Sequence, residues 1–426
     1  MNKLIYPKLG ETLYRTVLPN GLTVMVVPKK GFTKKCAYFA TKYGSIHTKF
    51  IHKGKTITSP DGVAHYLEHK MFELPNRDVM EEFAALGANP NAFTTYFCTA
   101  YYFTCTENFE EALELLLTFV STPYFTEESV EREQGIIAQE IRMYEDSADS
   151  RVYEDLFTAM YTHHPVKTPI AGTVESIAQI TAQTLQDCYD AFYQPSNMVL
   201  TVVGDVDPEQ VVELAQKTLP TEKRELAISD FGEAEPLHCR GRDTGRTMDV
   251  AMPTFQLGFK CPPSEEGEGC VLQQIIGDLA AEALMGESSE LYLKLYRQGL
   301  IDGSFAAGYE DMPGVALLSC GGDSRDPEAV RKAIIEEAQE LKATGVDKGL
   351  FLRLKKSALG RRYRALDSFD SLCFRLCAGH FDRSDYLEFP RLYEAVTKKQ
   401  VDDFIRQNIT WENCAMSVIF PREQEE

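Results

Sequence analysis

The sequence predicts a mixed helix-and-sheet, α+β chain made of two similar halves. Three observations carry this. Short β-branched and aromatic runs bounded by turn residues alternate with segments of helical periodicity. The order of these segments recurs past a charged, aperiodic stretch in the 220s and 230s. And 426 residues are too many for one hydrophobic core, so the chain should divide into domains.

In the first half, residues 22–27 form an apolar run after the turn signal Asn20-Gly21 and read as a strand, with 36–42 as its neighbour. Asp61 can cap a helix that begins at Gly62 and ends before Pro75; Asn76 can cap a second, which Gly87 stops. Residues 91–97 and 101–106, rich in aromatics and threonine, read as strands. Helices are expected over 109–120, 127–145 and 208–219, and a strand over 198–203. Past the charged stretch come a strand at 250–259, helices at 269–285 and 289–298, a strand at 314–320, helices at 331–341 and 349–363, and a closing strand at 415–420. This order divides the chain into 1–222, a linker 223–235, and 236–426, related by internal duplication.

Composition narrows the function. Acidic side chains number 64 against 44 basic, a net charge of -20, which argues against nucleic acid or an anionic membrane surface as the main partner. The eleven cysteines are odd in number and form no CxxC pair, which reads as reduced thiols in a cytoplasmic protein. No apolar leader opens the sequence, and no run is long enough to predict a membrane span.

The chemistry concentrates in DGVAHYLEHKMFE, residues 61–73. His65 and His69 are four apart, so on a helix they share one face a turn apart and can hold one zinc ion. Glu68 lies between them in sequence, beside the metal, where a carboxylate can take a proton from water. The HxxEH order is the inverse of HExxH and is the inverzincin signature. A third ligand should come from another element, and the best region is the helix at 127–145. There Val130, Ile137, Ile141 and Tyr144 make an apolar stripe flanked by Glu133 and Glu140. A carboxylate beside a buried stripe needs a partner such as zinc or a zinc-bound histidine, but spacing does not choose between these two glutamates. His163 and His164 read as solvated loop residues, while His47, His52, His238 and His380 have no partners at ligand spacing.

These motifs resemble those of the pitrilysin-type (M16) metallopeptidases, and most closely the zinc-bearing member of a bacterial cytosolic paralogue pair. The likeness runs through PNGLTVMVVPKKG (19–31), YGS (43–45), GVAHYLEHKMFE (62–73), GANPNAFTTYF (87–97), PYFTEESVEREQGIIAQEI (123–141) and HPVKTPIAGTVESI (164–177). The resemblance implies two similar α/β domains per chain, with helices packed on antiparallel-rich sheets. It implies that the third ligand is Glu140, the second of two glutamates seven apart, and that Glu133 supports it. It assigns the substrate to an added strand along Asn91, Ala92, Phe93, Thr94 and Thr95, so extended peptides are the expected substrates.

Members that act alone or as homodimers carry an arginine and a tyrosine seven apart in the second half. Here Tyr296 stands where the arginine is expected and Asp302 where the tyrosine is expected. The resemblance therefore implies a heterodimer with a paralogue that lacks HxxEH; the alternative is a homodimer, or a chain in which another residue such as Tyr309 substitutes from a shifted loop. Two other classes remain: a non-catalytic relative acting as a structural or assembly subunit, and a metal-binding regulator without turnover. Such relatives normally lose ligands from HxxEH, whereas all of its positions are present here.

Overall fold

The structure, a computed structural model, describes residues 1–75, 77–239 and 241–422. The chain forms two compact units, and they do not follow the two halves of the sequence. One comprises 1–141, 169–231 and 363–388; the other comprises 142–168, 232–362 and 389–426. Each unit thus takes one segment from the opposite side of the expected linker. The stretch 223–235 is itself not featureless: Ile228–Ser229 pairs with Lys49–His52.

The first unit is built on a seven-stranded sheet in the order Asn2–Tyr6, Glu11–Val17, Thr23–Pro28, Met198–Gly204, Lys35–Thr41, Thr99–Cys105, Asn89–Thr94. All neighbours are antiparallel except Thr23–Pro28 with Met198–Gly204. Helices Phe109–Val120 and Ala182–Phe192 supply an apolar layer that includes Leu113, Leu116, Leu185 and Phe192. Helix Phe369–Phe381, from the second half of the sequence, packs on strands Met198–Gly204 and Lys35–Thr41, with Cys373 and Cys377 against Thr201.

The second unit repeats the plan. Its five-stranded sheet runs Thr244–Met248, Cys414–Pro421, Thr254–Cys261, Val315–Asp323, Ala306–Met312, with one parallel pair followed by antiparallel neighbours, as in the last five strands of the first sheet. Helix Ala148–Met160, from the first half, packs on Cys414–Pro421 and Thr254–Cys261, as Phe369–Phe381 does on the corresponding strands of the first unit. The matched strand order supports the duplication. The fold is therefore α+β, with antiparallel-rich sheets in both units.

Several local expectations shift. The strand expected at 91–97 is Asn89–Thr94, and Thr95 lies in the turn beyond it, where its N–H donates to the Cys98 carbonyl at 2.8 Å. The helix expected from Gly62 is Val63–Met71, with no side-chain cap. Its N-cap is Gly62 at φ 92°, a conformation that favours glycine, and a Cβ there would lie 2.5 Å from the Ala171 carbonyl. Asn76 lies outside the described residues, and the following helix Val79–Ala85 is capped by Asp78. In the glutamate helix, Glu127–Asp146, the stripe holds for Val130, Ile137 and Ile141 but not for Tyr144, which is exposed. His164 is buried, not solvated: its ring accepts the N–H of Val166 at 3.2 Å.

Candidate metal centre

The histidine helix Val63–Met71 turns Val63, Tyr66, Leu67 and Met71 into the core, which leaves the face bearing His65 and His69 toward the glutamate helix. Two devices hold the helices in register. Tyr66 donates its hydroxyl to the Val130 carbonyl. Lys70, fully buried, bonds Glu73 and the Ser129 carbonyl, and Arg132 joins Glu73 from the glutamate helix. Burial works against the Glu73 charge, but Lys70 and Arg132 outweigh it and hold its carboxyl below the usual range. Sequence reasoning missed this clamp; the signal was a lysine on the buried side of an apolar helix.

With the helices registered, four of the predicted residues meet. Glu140 places one carboxylate oxygen 3.7 Å from His65 Nε2 and the other 3.3 Å from His69 Nε2. Glu133 lies 3.1 Å from Nδ1 of His69, on the far side of that ring. The imidazole centroids are 4.7 Å apart. Among the described residues, His65, His69 and Glu140 offer donor atoms that all lie within 4.8 Å of one another. Donors about 2.0–2.2 Å from a tetrahedral zinc are separated by roughly 3.3–3.6 Å, and the distances from Glu140 to the two rings, 3.3 and 3.7 Å, are close to that. The charge balance agrees, because Glu68, Glu133 and Glu140 gather around two imidazoles in a half-buried site.

Burial pulls the His65 pKa down to about 4, helped by His69, so its ring is neutral at physiological pH. Burial also lowers that of His69, but bonds to Glu133 and Glu140 and the Glu68 charge outweigh it and hold the ring at about 10. Without metal, His69 is therefore protonated near neutral pH, and a metal ion bound there would have to displace that proton. Burial raises the Glu68 carboxyl, opposed by a hydrogen bond that Thr94 Oγ1 donates to its Oε2 at 2.7 Å.

The residues expected to receive substrate, 91–95, fall in and just after Asn89–Thr94, an edge of the first sheet that among the described residues pairs only with Thr99–Cys105, Thr94 opposite Thr99. Pro90, which has no N–H, is tolerated on such an edge. The Asn91 side chain accepts its neighbour Ala92's N–H at 2.9 Å, and Phe93 packs edge-on to Phe374 at 5.5 Å.

In the second unit, the helix Glu268–Met285 packs on the edge strand Ala306–Met312 and contains no histidine. Tyr296 is 55% exposed and stacked on Tyr292, and Asp302 accepts bonds from Ser304. Tyr309, the nearest tyrosine downstream, is buried against Phe404.

Residues 50–174 match the family described as insulinase (peptidase family M16), and residues 179–358 that described as the peptidase M16 inactive domain. The uncharacterized zinc protease YmfH of Bacillus subtilis is 37% identical over 98% of each chain. An M16-like peptidase from Alicyclobacillus acidocaldarius superposes with a TM-score of 0.93 at 32% identity, over 98% of this chain and 100% of that one. The periplasmic protease PqqL of Escherichia coli shares the fold, with a TM-score of 0.75 at 18% identity, over 99% of this chain but only 48% of that one. Among the described residues no helix is long and apolar enough to cross a membrane.

Proposed function

The chain belongs to the M16 peptidase family, and from that premise we propose that it is a zinc-dependent endopeptidase of extended peptides. His65, His69 and Glu140 hold the ion, which when bound supplies Lewis-acid polarisation of the scissile carbonyl and the attacking water. His65 offers a neutral ring. Glu133 accepts the Nδ1 proton of His69 and so keeps the Nε2 lone pair directed at the ion. Glu68 takes a proton from the attacking water and returns it to the leaving amine; a carboxyl raised by burial suits both steps. Substrate pairs with the edge strand through Asn91, Ala92, Phe93 and Thr94, and with Thr95 at its end.

The observation that carries this reading is the convergence of Glu140 on both Nε2 atoms beside Glu68. The test is metal analysis of the wild type and of Glu68→Gln, with cleavage of an unfolded peptide. Both proteins should hold about one zinc per chain, and the variant should cleave at least about 100-fold more slowly. A wild type without zinc, or a zinc-loaded wild type that never cleaves, would favour a structural or regulatory subunit.

The second half, without histidines in its matching helix, is proposed to enclose the site and bind no catalytic zinc. Tyr296 is uncharged where a cation is expected, and ionised Asp302 has no proton to donate where a tyrosine hydroxyl is expected, which supports a heterodimer with a paralogue that lacks HxxEH but carries the arginine and tyrosine. Adding that paralogue should raise peptide cleavage; equal rates with and without it, and no complex on sizing chromatography, would leave a lone chain or homodimer. The eleven free cysteines, ten of them buried, support a cytoplasmic location.

A further inference from the structure

Glu68 has two carboxylate oxygens, and the structure distinguishes them. Thr94 Oγ1 donates to Oε2 at 2.7 Å. The only other hydroxyl close to Thr94 is Thr99 Oγ1 at 3.4 Å among the bonds described, and Thr99 spends its own proton on the Tyr43 carbonyl at 2.8 Å. A hydroxyl has one proton to give, so the Thr94 proton is committed to Glu68.

Thr94 is itself held. It is the last residue of the edge strand, and the turn after it is pinned from outside that hairpin. Ser45 donates to the Thr95 carbonyl and Ile46 to the Tyr96 carbonyl, both at 3.1 Å. This approach requires Gly44, since a Cβ there would lie 2.4 Å from the Thr95 oxygen and 2.6 Å from the Phe97 nitrogen. The brace runs from residues 43–46 through the turn to Thr94 and ends on the carboxylate.

We propose that Thr94 is a positioning residue for the base: its hydroxyl occupies Oε2 of Glu68 and leaves Oε1 as the oxygen that exchanges the proton. This rests on Glu68 being the base, as proposed above. One proton passes from the attacking water to Oε1 as the carbon–oxygen bond forms, then from Oε1 to the amine nitrogen as the carbon–nitrogen bond breaks. Oε2 accepts the Thr94 hydrogen bond throughout. Thr94 thereby acts on the catalytic group, not only on substrate backbone as the edge-strand role alone implies.

The test compares Thr94→Val, which keeps the shape and removes the donor, with Thr94→Ser, which keeps the donor. Thr94→Val should retain zinc and KM while kcat falls roughly 10- to 100-fold, the value of one hydrogen bond to a charged group. Thr94→Ser should restore most of kcat. A crystal structure of Thr94→Val should show the Glu68 carboxylate turned away from its wild-type position. A rise in KM with unchanged kcat would make Thr94 a substrate contact and overturn the proposal. So would equal loss in both variants, or an unmoved carboxylate. Should Thr94→Val not fold, Thr94→Ala takes its place against the serine variant. An inactive wild type would instead count against the peptidase reading, and the Glu68 position in the crystal would still judge the role of Thr94.

Discussion

Replacing Glu140 by glutamine should strip the chain of zinc. The carboxylate faces the Nε2 atoms of both histidines, so the substitution removes a negative charge from the point where three donors meet. One amide position becomes an N–H2 that can only donate. Replacing Glu133 leaves an amide oxygen that can still accept the Nδ1 proton of His69, so affinity should fall by no more than the roughly 10- to 100-fold of an outer-sphere partner. For Glu140→Gln the loss should exceed that range. Competition with a calibrated chelator measures both. If Glu133→Gln loses the metal and Glu140→Gln keeps it, the two roles are exchanged.

A fragment of residues 1 to about 225 should fail to fold cooperatively and should show no peptidase activity. It lacks Phe369–Phe381, whose Phe369, Leu372, Leu376 and Phe381 are all buried. At about 1.5–3 kcal/mol for each large apolar side chain, their loss removes roughly 6–12 kcal/mol, as much as the whole stability of an ordinary domain. The fragment also keeps Ala148–Met160, whose buried Val152, Leu156, Phe157 and Met160 then have no sheet to cover. Thermal melting by circular dichroism reads this directly. A sharp transition with full activity would show the second half to be dispensable. Fusing residues 363–388 to the fragment, with 142–168 shortened, should recover a cooperative transition.

The histidine pair was legible because four-residue spacing on a helix forces two side chains onto one face, whatever the surroundings. The choice between Glu133 and Glu140 was not. Both flank the same stripe on one helix, and only the register against the histidine helix separates them. That register is set by Tyr66, Lys70, Glu73 and Arg132, contacts between segments about sixty residues apart. The end of the edge strand was misplaced because its aromatic run continues through Tyr96 and Phe97, while the turn is fixed by bonds from residues 45 and 46. The exchanged helices were hidden for a similar reason. An apolar helical face announces that it will be buried, but it does not name the sheet that buries it.

That exchange governs when the protein can fold during synthesis. The first sheet is fully translated once Met198–Gly204 has emerged, yet one of its faces waits for Phe369–Phe381. The second sheet lacks an interior strand until Cys414–Pro421 appears. Neither unit can close on the ribosome until the last part of the chain is made, whereas the first of two domains laid end to end would fold early. For the time it takes to translate about 170 residues, at roughly 5–20 residues per second, the nascent chain must carry an uncovered apolar sheet face. Holdase chaperones should therefore engage this chain between those two points of elongation, and release it only near the end.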